Sequence, residues 1–357
     1  MVKLFACGGM IIDNVVTADG TVHREALGGN GVYAAAGARL WCDRVGLVAL
    51  VPRNYPARWF EALRNAGIDI AGVAVRPESV DRSEWFFYRS DGSRADHLYA
   101  SSDAFVAAGL PPQGRLSPAQ SGAFEAQLRS SGAEGADFAG FRRRHPVCAG
   151  DVPSSYLHAV GVHMAPGAPR AQLALAQAIH APGRRITLDP GSHAGAMRDV
   201  LPRLLPLLDA FLPSEKELRL LAPGTGLASG LAGLRAAGVP VALVKLAAAG
   251  AMVASSVYPA GISVPALAVD LVDPTGAGDA FCGGFLAGLV ATGDPLCAAL
   301  CGTASASIAV ESFGPMRLLS ATPQEVLARW QRLARLCALP DTDQRFSELR
   351  ALRHDSP

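Results

Sequence analysis

The chain has 357 residues, half of them apolar and 18% charged, with a formal net charge of +1. That composition suits one large α/β domain or two smaller ones with a substantial core, and it is wrong for a disordered chain. The near-neutral charge excludes a global field that recruits nucleic acid or an anionic membrane.

The opening MVKLFACGGMIIDNVV has one lysine and a short apolar run broken by glycines and Asp13. It lacks the h-region and cleavage site of a secretory signal, and no charge-free apolar run of about 18 residues follows. The seven cysteines (Cys7, Cys42, Cys148, Cys282, Cys297, Cys301, Cys337) are odd in number, widely spaced and without a C-x-x-C pair. That pattern indicates neither a disulfide framework nor a zinc knuckle, so a reducing cytoplasm is expected.

Along the chain, short apolar runs predict buried strands at 4–6, 45–50, 156–164, 186–189, 210–212 and 241–246. Helical patterns lie between them at 31–41, 57–66, 170–180 and 228–237. Continuous apolar strands alternating with helices mean parallel β-α-β units, covered on both faces. Two stretches, 12–28 and 71–103, depart from this rhythm. Within the second, Trp85-Phe86-Phe87-Tyr88, a turn at Asp91-Gly92 and a return through Arg94 read as a hairpin that projects from the core as a lid. Residues 104–150 are rich in Ser, Gly, Ala and Pro and contain Arg142-Arg143-Arg144, which reads as a surface excursion with a solvated charge run. A last helix is expected from Thr322, with Glu325 completing a T-x-x-E capping box, and 336–357 as a tail.

The chemistry concentrates in Asp273-Pro274-Thr275-Gly276-Ala277-Gly278-Asp279-Ala280-Phe281. Phe281, Phe285 and Leu289 recur at helical spacing, so a helix begins near Gly276. Gly283, Gly284 and Gly288 interrupt it, each costing about 0.5–1 kcal/mol relative to alanine. Such a helix is tolerable where another backbone packs closely against it. Small residues at its start leave first-turn N–H groups bare, and with the helix dipole they attract an anion. Asp279 beside that anion hole either favours the dipole or accepts a proton from an attacking hydroxyl.

The whole run resembles the C-terminal signature of the ribokinase-like (PfkB) family of carbohydrate kinases, D-T-x-G-A-G-D-x-F, over a likeness spanning 1–335. The resemblance implies a three-layer α/β/α core with a mostly parallel central sheet and a small β-lid from 12–28 and 71–103. It implies ATP-dependent phosphorylation of a hydroxyl on a sugar or sugar-like molecule, with Mg2+ and a monovalent cation, K+, as further ligands. By the same resemblance Asp279 is the catalytic base, and Gly276, Ala277 and Gly278 form the anion hole. Asp13, Gly28, Gly29 and Asn30 fall where the family binds substrate, although Asp13-Asn14 is also ordinary turn chemistry. Lys245, Ala247, Gly250 and Gly302 fall beside the nucleotide, and Asp273, Thr275 and Gly314 in the monovalent-cation loop. The family's N-x-x-E motif appears as Ser214-Glu215-Lys216-Glu217, with Glu217 placed to act on Mg2+ through water and serine where asparagine is usual. Ala247 likewise stands where glycine is common. The resemblance also allows a homodimer through the lid.

Gly29-Asn30-Gly31-Val32-Tyr33-Ala34 fits G-x-G-x-x-A, but no good strand precedes it and no acidic residue lies in 44–60, which argues against a dinucleotide fold. None of the three lysines precedes Ser or Thr, which excludes a P-loop. A nucleoside kinase, suggested by Glu311-Ser312-Phe313-Gly314-Pro315, and a family member that binds without turnover stay open. His163 at a strand end reads as a satisfied core histidine, and Arg89 and Arg94 flank the hairpin turn.

Overall fold

The apolar runs become strands of one nine-stranded sheet in a computed structural model that describes residues 1–80, 82–90, 94–111, 114–130 and 138–354. In chain order the strands are β1 (Leu4–Cys7), β2 (Ile11–Val16), β3 (Val22–Gly28), β4 (Val45–Pro52), β5 (Ile68–Arg76), β6 (Arg82–Tyr88) and β7 (Arg94–Ser101). They continue as β8 (Gly161–Met164), β9 (Arg185–Leu188), β10 (Ala210–Phe211), β11 (Val241–Lys245), β12 (Ala251–Ala254) and β13 (Ile262–Val264). The central sheet runs β13-β12-β11-β10-β9-β8-β1-β4-β5, parallel from β11 to β5 and antiparallel at β12 and β13. Both faces are covered, as a parallel sheet requires. Leu4 and Ala6 enter the apolar cluster on one face, and Phe5 and Cys7 enter the cluster on the other. Among the described residues no helix is long and apolar enough to cross a membrane.

The second sheet, β3-β2-β6-β7, forms the lid. Its outer face is apolar: Trp85 and Phe87 pack on Phe105 and Phe124, with ring centroids of Trp85 5.3 and 5.0 Å from the last two. The Asp91-Gly92 turn lies outside the described residues, but β6 and β7 on either side are antiparallel neighbours.

Four boundaries differ from the sequence reading. Residues 71–76 belong to β5 of the central sheet, because β5 pairs in parallel with β4. The 104–150 excursion is partly internal: Phe124 and Leu128 close the lid's core, while Phe138 and Phe141 join the main one. The 336–357 tail holds a further helix, Thr342–His354, whose Leu349 and Leu352 are buried and whose Arg345 pairs with Asp294 at 3.3 Å. Within the 156–164 segment only Gly161–Met164 is strand, since Ser154–Tyr156 is a 3-10 turn that sends the Tyr156 hydroxyl to Asp69. The helix Pro323–Leu336 starts at Thr322 as expected, but the Glu325 carboxylate pairs with Arg317 and Arg329 instead of closing the box.

Two helices cross at the centre of the molecule. A Cβ on Gly37 of Asn30–Arg39 would overlap Ala280 O, and one on Gly283 of Ala277–Thr292 would overlap Ala34 O. This close approach is what the interrupting glycines permit, and it fixes the N-termini carrying Asn30 and Asp279 relative to each other. Gly283→Ala should therefore destabilise the fold by about 1–3 kcal/mol through overpacking. Gly233→Ala, in the helix Leu227–Ala236 with open space around it, should stabilise by about 0.5–1 kcal/mol. Urea unfolding of both variants checks the contrast, and equal signs would dismiss the crossing as the cause.

Candidate active site

Gly276 opens the Ala277–Thr292 helix with φ 74°, and a Cβ there would overlap the Tyr33 ring, so only glycine fits. No side chain caps the helix. Ala277 N–H donates to Pro274 O at 3.3 Å, while Gly276 and Gly278 N–H have no protein acceptor among the described residues. Asp279 stands in this first turn. Burial, then the charge of Asp189, pushes its carboxyl up to about 7, with Lys245 opposing.

Lys245, at the end of β11, is expected beside the nucleotide, and the structure turns it inward. Its Nζ forms an ion pair with Asp189 Oδ2 and lies 3.5 Å from Cys282 Sγ. The two side chains are 12% and 5% exposed. A Cβ on Gly278 would lie 3.7 Å from Lys245 Nζ, so this ammonium lies beside the helix start. Asp189 was missed as a site residue, although a carboxylate at the carboxyl end of a parallel strand is where ligands collect in such sheets. His163 is buried and bonds Thr187 Oγ1 at 2.9 Å, and burial lowers its pKa to about 4, as suits a neutral core histidine.

Among the residues expected to bind substrate, the Asp13 carboxylate lies directly over Gly28, where any Cβ would overlap it. Asp13 is 4% exposed and its Oδ1 has no hydrogen-bond partner. Burial, then Glu84, then Asp273, holds its pKa well above the usual carboxylate range. Gly29 sits at φ 107° against Gly9 O. Asn30, expected to bind substrate, is engaged by the backbone at both ends of its amide. Its Oδ1 accepts from Gly9 N at 2.6 Å and its Nδ2 donates to Pro166 O at 3.3 Å. It orders the Gly8-Gly9 turn.

The lid is tied to this floor by Tyr88. Its hydroxyl donates to Asp273 Oδ1 at 2.8 Å and meets Thr275 Oγ1, while Thr275 N–H donates to Asp273 Oδ1 at 2.9 Å. Burial, then Asp273, pushes the phenol up to about 12, so it remains a donor. Asp273, expected to face a monovalent cation, is thus already engaged. Gly314 lies against Leu27 O at the base of the lid. Arg94 reaches the site, stacking on Phe86 at 4.7 Å and influencing both Asp13 and Asp279, whereas Arg89 turns away to Glu125.

Ser214 and Glu217 form a complete capping box: Glu217 Oε2 accepts from Ser214 N at 2.7 Å, and Ser214 Oγ accepts from Glu217 N at 3.4 Å. Serine caps the helix well where the family uses asparagine. Burial, then Asp189, raises the Glu217 carboxyl, with Lys245 opposing. Ala247 adopts φ 51°, a region that glycine occupies at little cost, and Gly250 at φ 93° passes close to Val264 O. Gly302 is buried and closely packed, since a Cβ there would lie 2.8 Å from Phe281 O. Among the described residues no group of three or more His, Cys, Asp or Glu is arranged to hold a metal.

A family model described as pfkB family carbohydrate kinase matches residues 153–322. That match covers just under half of this chain. The matched span holds Asp189, Glu217, Lys245 and Asp279, while Asp13 and the lid precede it. The chain is 26% identical over 293 residues to a cytidine kinase of Thermococcus kodakarensis, covering 81% of this chain and 88% of that protein. Its fold resembles that of an E. coli protein assigned as ribokinase II, solved in complex with ATP and Mg2+ (TM-score 0.66, 20% identity, 93% of this chain and 100% of that one). It also resembles a nucleoside kinase of Burkholderia thailandensis in complex with inosine (TM-score 0.67, 18% identity, 92% and 96%).

Proposed function

We propose that the protein transfers the γ-phosphoryl group of ATP to a hydroxyl of a small polyhydroxylated molecule, a sugar or a ribosyl compound. The observation that carries this reading is Asp279, a carboxylate raised to about 7 within one turn of an uncapped helix start. A base with that pKa is half ionised near neutral pH and matched to taking a hydroxyl proton. The Gly276 and Gly278 N–H groups, with Lys245 beneath them, would hold the charge on the transferring phosphoryl group. Asp13, buried with a free oxygen, would grip the acceptor's other hydroxyls.

The residues fit Mg2+ bound mainly through phosphates. Glu217 offers one carboxylate at the site edge, and Mg2+ is commonly held by one or two carboxylates, waters and substrate phosphates. Bound with the nucleotide, it neutralises phosphate charge.

An ATP-consumption screen across sugars, sugar acids and nucleosides, with Mg2+ and K+ present, should reveal turnover of at least one class. A protein that binds these ligands and consumes no ATP is a non-catalytic binder. The nucleoside alternative draws on the cytidine kinase relative and on the nucleoside kinase solved with inosine. Glu217→Gln should raise the Mg2+ concentration needed for half-maximal turnover while leaving acceptor affinity nearly unchanged. Ser214→Ala should cost about 1 kcal/mol through the lost cap, and Ser214→Asn should be neutral. Loss of acceptor binding in Glu217→Gln, with the Mg2+ response intact, would contradict that assignment.

A further inference from the structure

The acceptor side holds a cation with no role in the phosphoryl transfer described above. Arg142 lies in the last turn of the helix Phe138–Arg144, which is anchored by buried Phe138 and Phe141. A Cβ on Gly9 would lie 3.6 Å from Arg142 Nη1 and 3.2 Å from Asn30 Oδ1, so the guanidinium overhangs the glycine turn that floors the acceptor site. Arg142 is partly buried and has no hydrogen-bond or ion-pair partner among the described residues, whereas Arg144 on the same helix pairs with Glu78.

Among the described residues no hydrogen bond or ion pair joins Arg142 to Asp13, whose Oδ1 is unbonded. Asp13 nevertheless feels the Arg142 charge, ahead of that of Arg94. His193, whose pKa is lowered by burial and then by Arg142, is an electrostatic neighbour of that arginine. His193 follows Gly191, which packs on Pro166, whose carbonyl takes the Asn30 amide.

A partly desolvated guanidinium is satisfied best by a carboxylate or phosphate, which accepts two of its parallel N–H bonds. We propose that the acceptor carries an anionic group, a carboxylate or a phosphate ester, remote from the hydroxyl that is phosphorylated, and that Arg142 binds it. This rests on the kinase reading and narrows its substrate class. A neutral nucleoside would leave Arg142 without a partner.

The test compares matched acceptors, D-gluconate with D-glucose and D-ribose 5-phosphate with D-ribose, plus cytidine, in wild type, Arg142→Gln and Arg142→Lys. The anionic member of at least one pair should have the higher kcat/KM, and the pair that shows this identifies carboxylate or phosphate. In Arg142→Gln that preference should fall by about 30-fold or more, chiefly through KM. Arg142→Lys should restore only part of it, because a point charge lacks the paired donors. Preference for glucose, ribose or cytidine, or equal losses for both members of each pair, would overturn the proposal. Calorimetric binding of gluconate and ribose 5-phosphate separates this result from failure of the kinase reading. Binding that weakens in Arg142→Gln without any turnover supports the anion site and sinks the kinase, and no binding of either sinks the anion site.

Discussion

Asp279→Asn should lower kcat by about 10²–10⁴-fold, the usual worth of a positioned general base, while ATP and acceptor still bind. The substitution keeps the shape of the side chain and its place in the first turn, so the anion hole survives without its base. In the wild type, kcat/KM should rise as pH climbs through about 7, because the carboxylate acts only when ionised. Stability moves the opposite way. A carboxyl whose folded pKa is raised favours the fold below its unfolded value, and that advantage is lost as pH rises from about 4 to about 7. Asp279→Asn should therefore melt above the wild type at pH 8 and close to it at pH 4. A change in kcat of less than tenfold would reduce Asp279 to a helix-start residue.

Lys245→Met should produce the largest loss of stability. Lys245 and Asp189 are both inside the protein, and removing one member of a buried ion pair leaves the other uncompensated, at a cost of about 3–5 kcal/mol. Asp189 would then face Asp279 and Glu217 with no cation beneath them. Lys245 holds the Asp279 carboxyl down, so its loss should also move the rise in kcat/KM to higher pH. Adding Asp189→Leu should recover much of the stability and none of the turnover, which distinguishes a pairing requirement from simple packing. Denaturant midpoints for the wild type and the two variants give the answer, and a cost below about 1 kcal/mol for Lys245→Met would mean that the ammonium is effectively solvated.

The mixture of near and distant residues explains what could be read in advance. The helix start at Gly276, with Asp279 in its first turn, is a local feature: glycine at positive φ, small neighbours and an apolar spacing are all written within a few residues. The parallel sheet was legible for the same reason, since each buried strand is a continuous apolar run. Ser214 looked like a departure from the family motif, yet local capping chemistry makes serine a sound occupant. What the tertiary structure decided lies across long separations. Asp189 meets Lys245, Tyr88 meets Asp273, and Arg142 overhangs Gly9 because sheet order and the folding-in of 104–150 bring them together. No local propensity specifies such pairs; burial selects them, since a charge or hydroxyl withdrawn from water must find whatever partner the packed helices and strands deliver. The same packing set Gly302 against Phe281, and gave both ends of the Asn30 amide to the backbone.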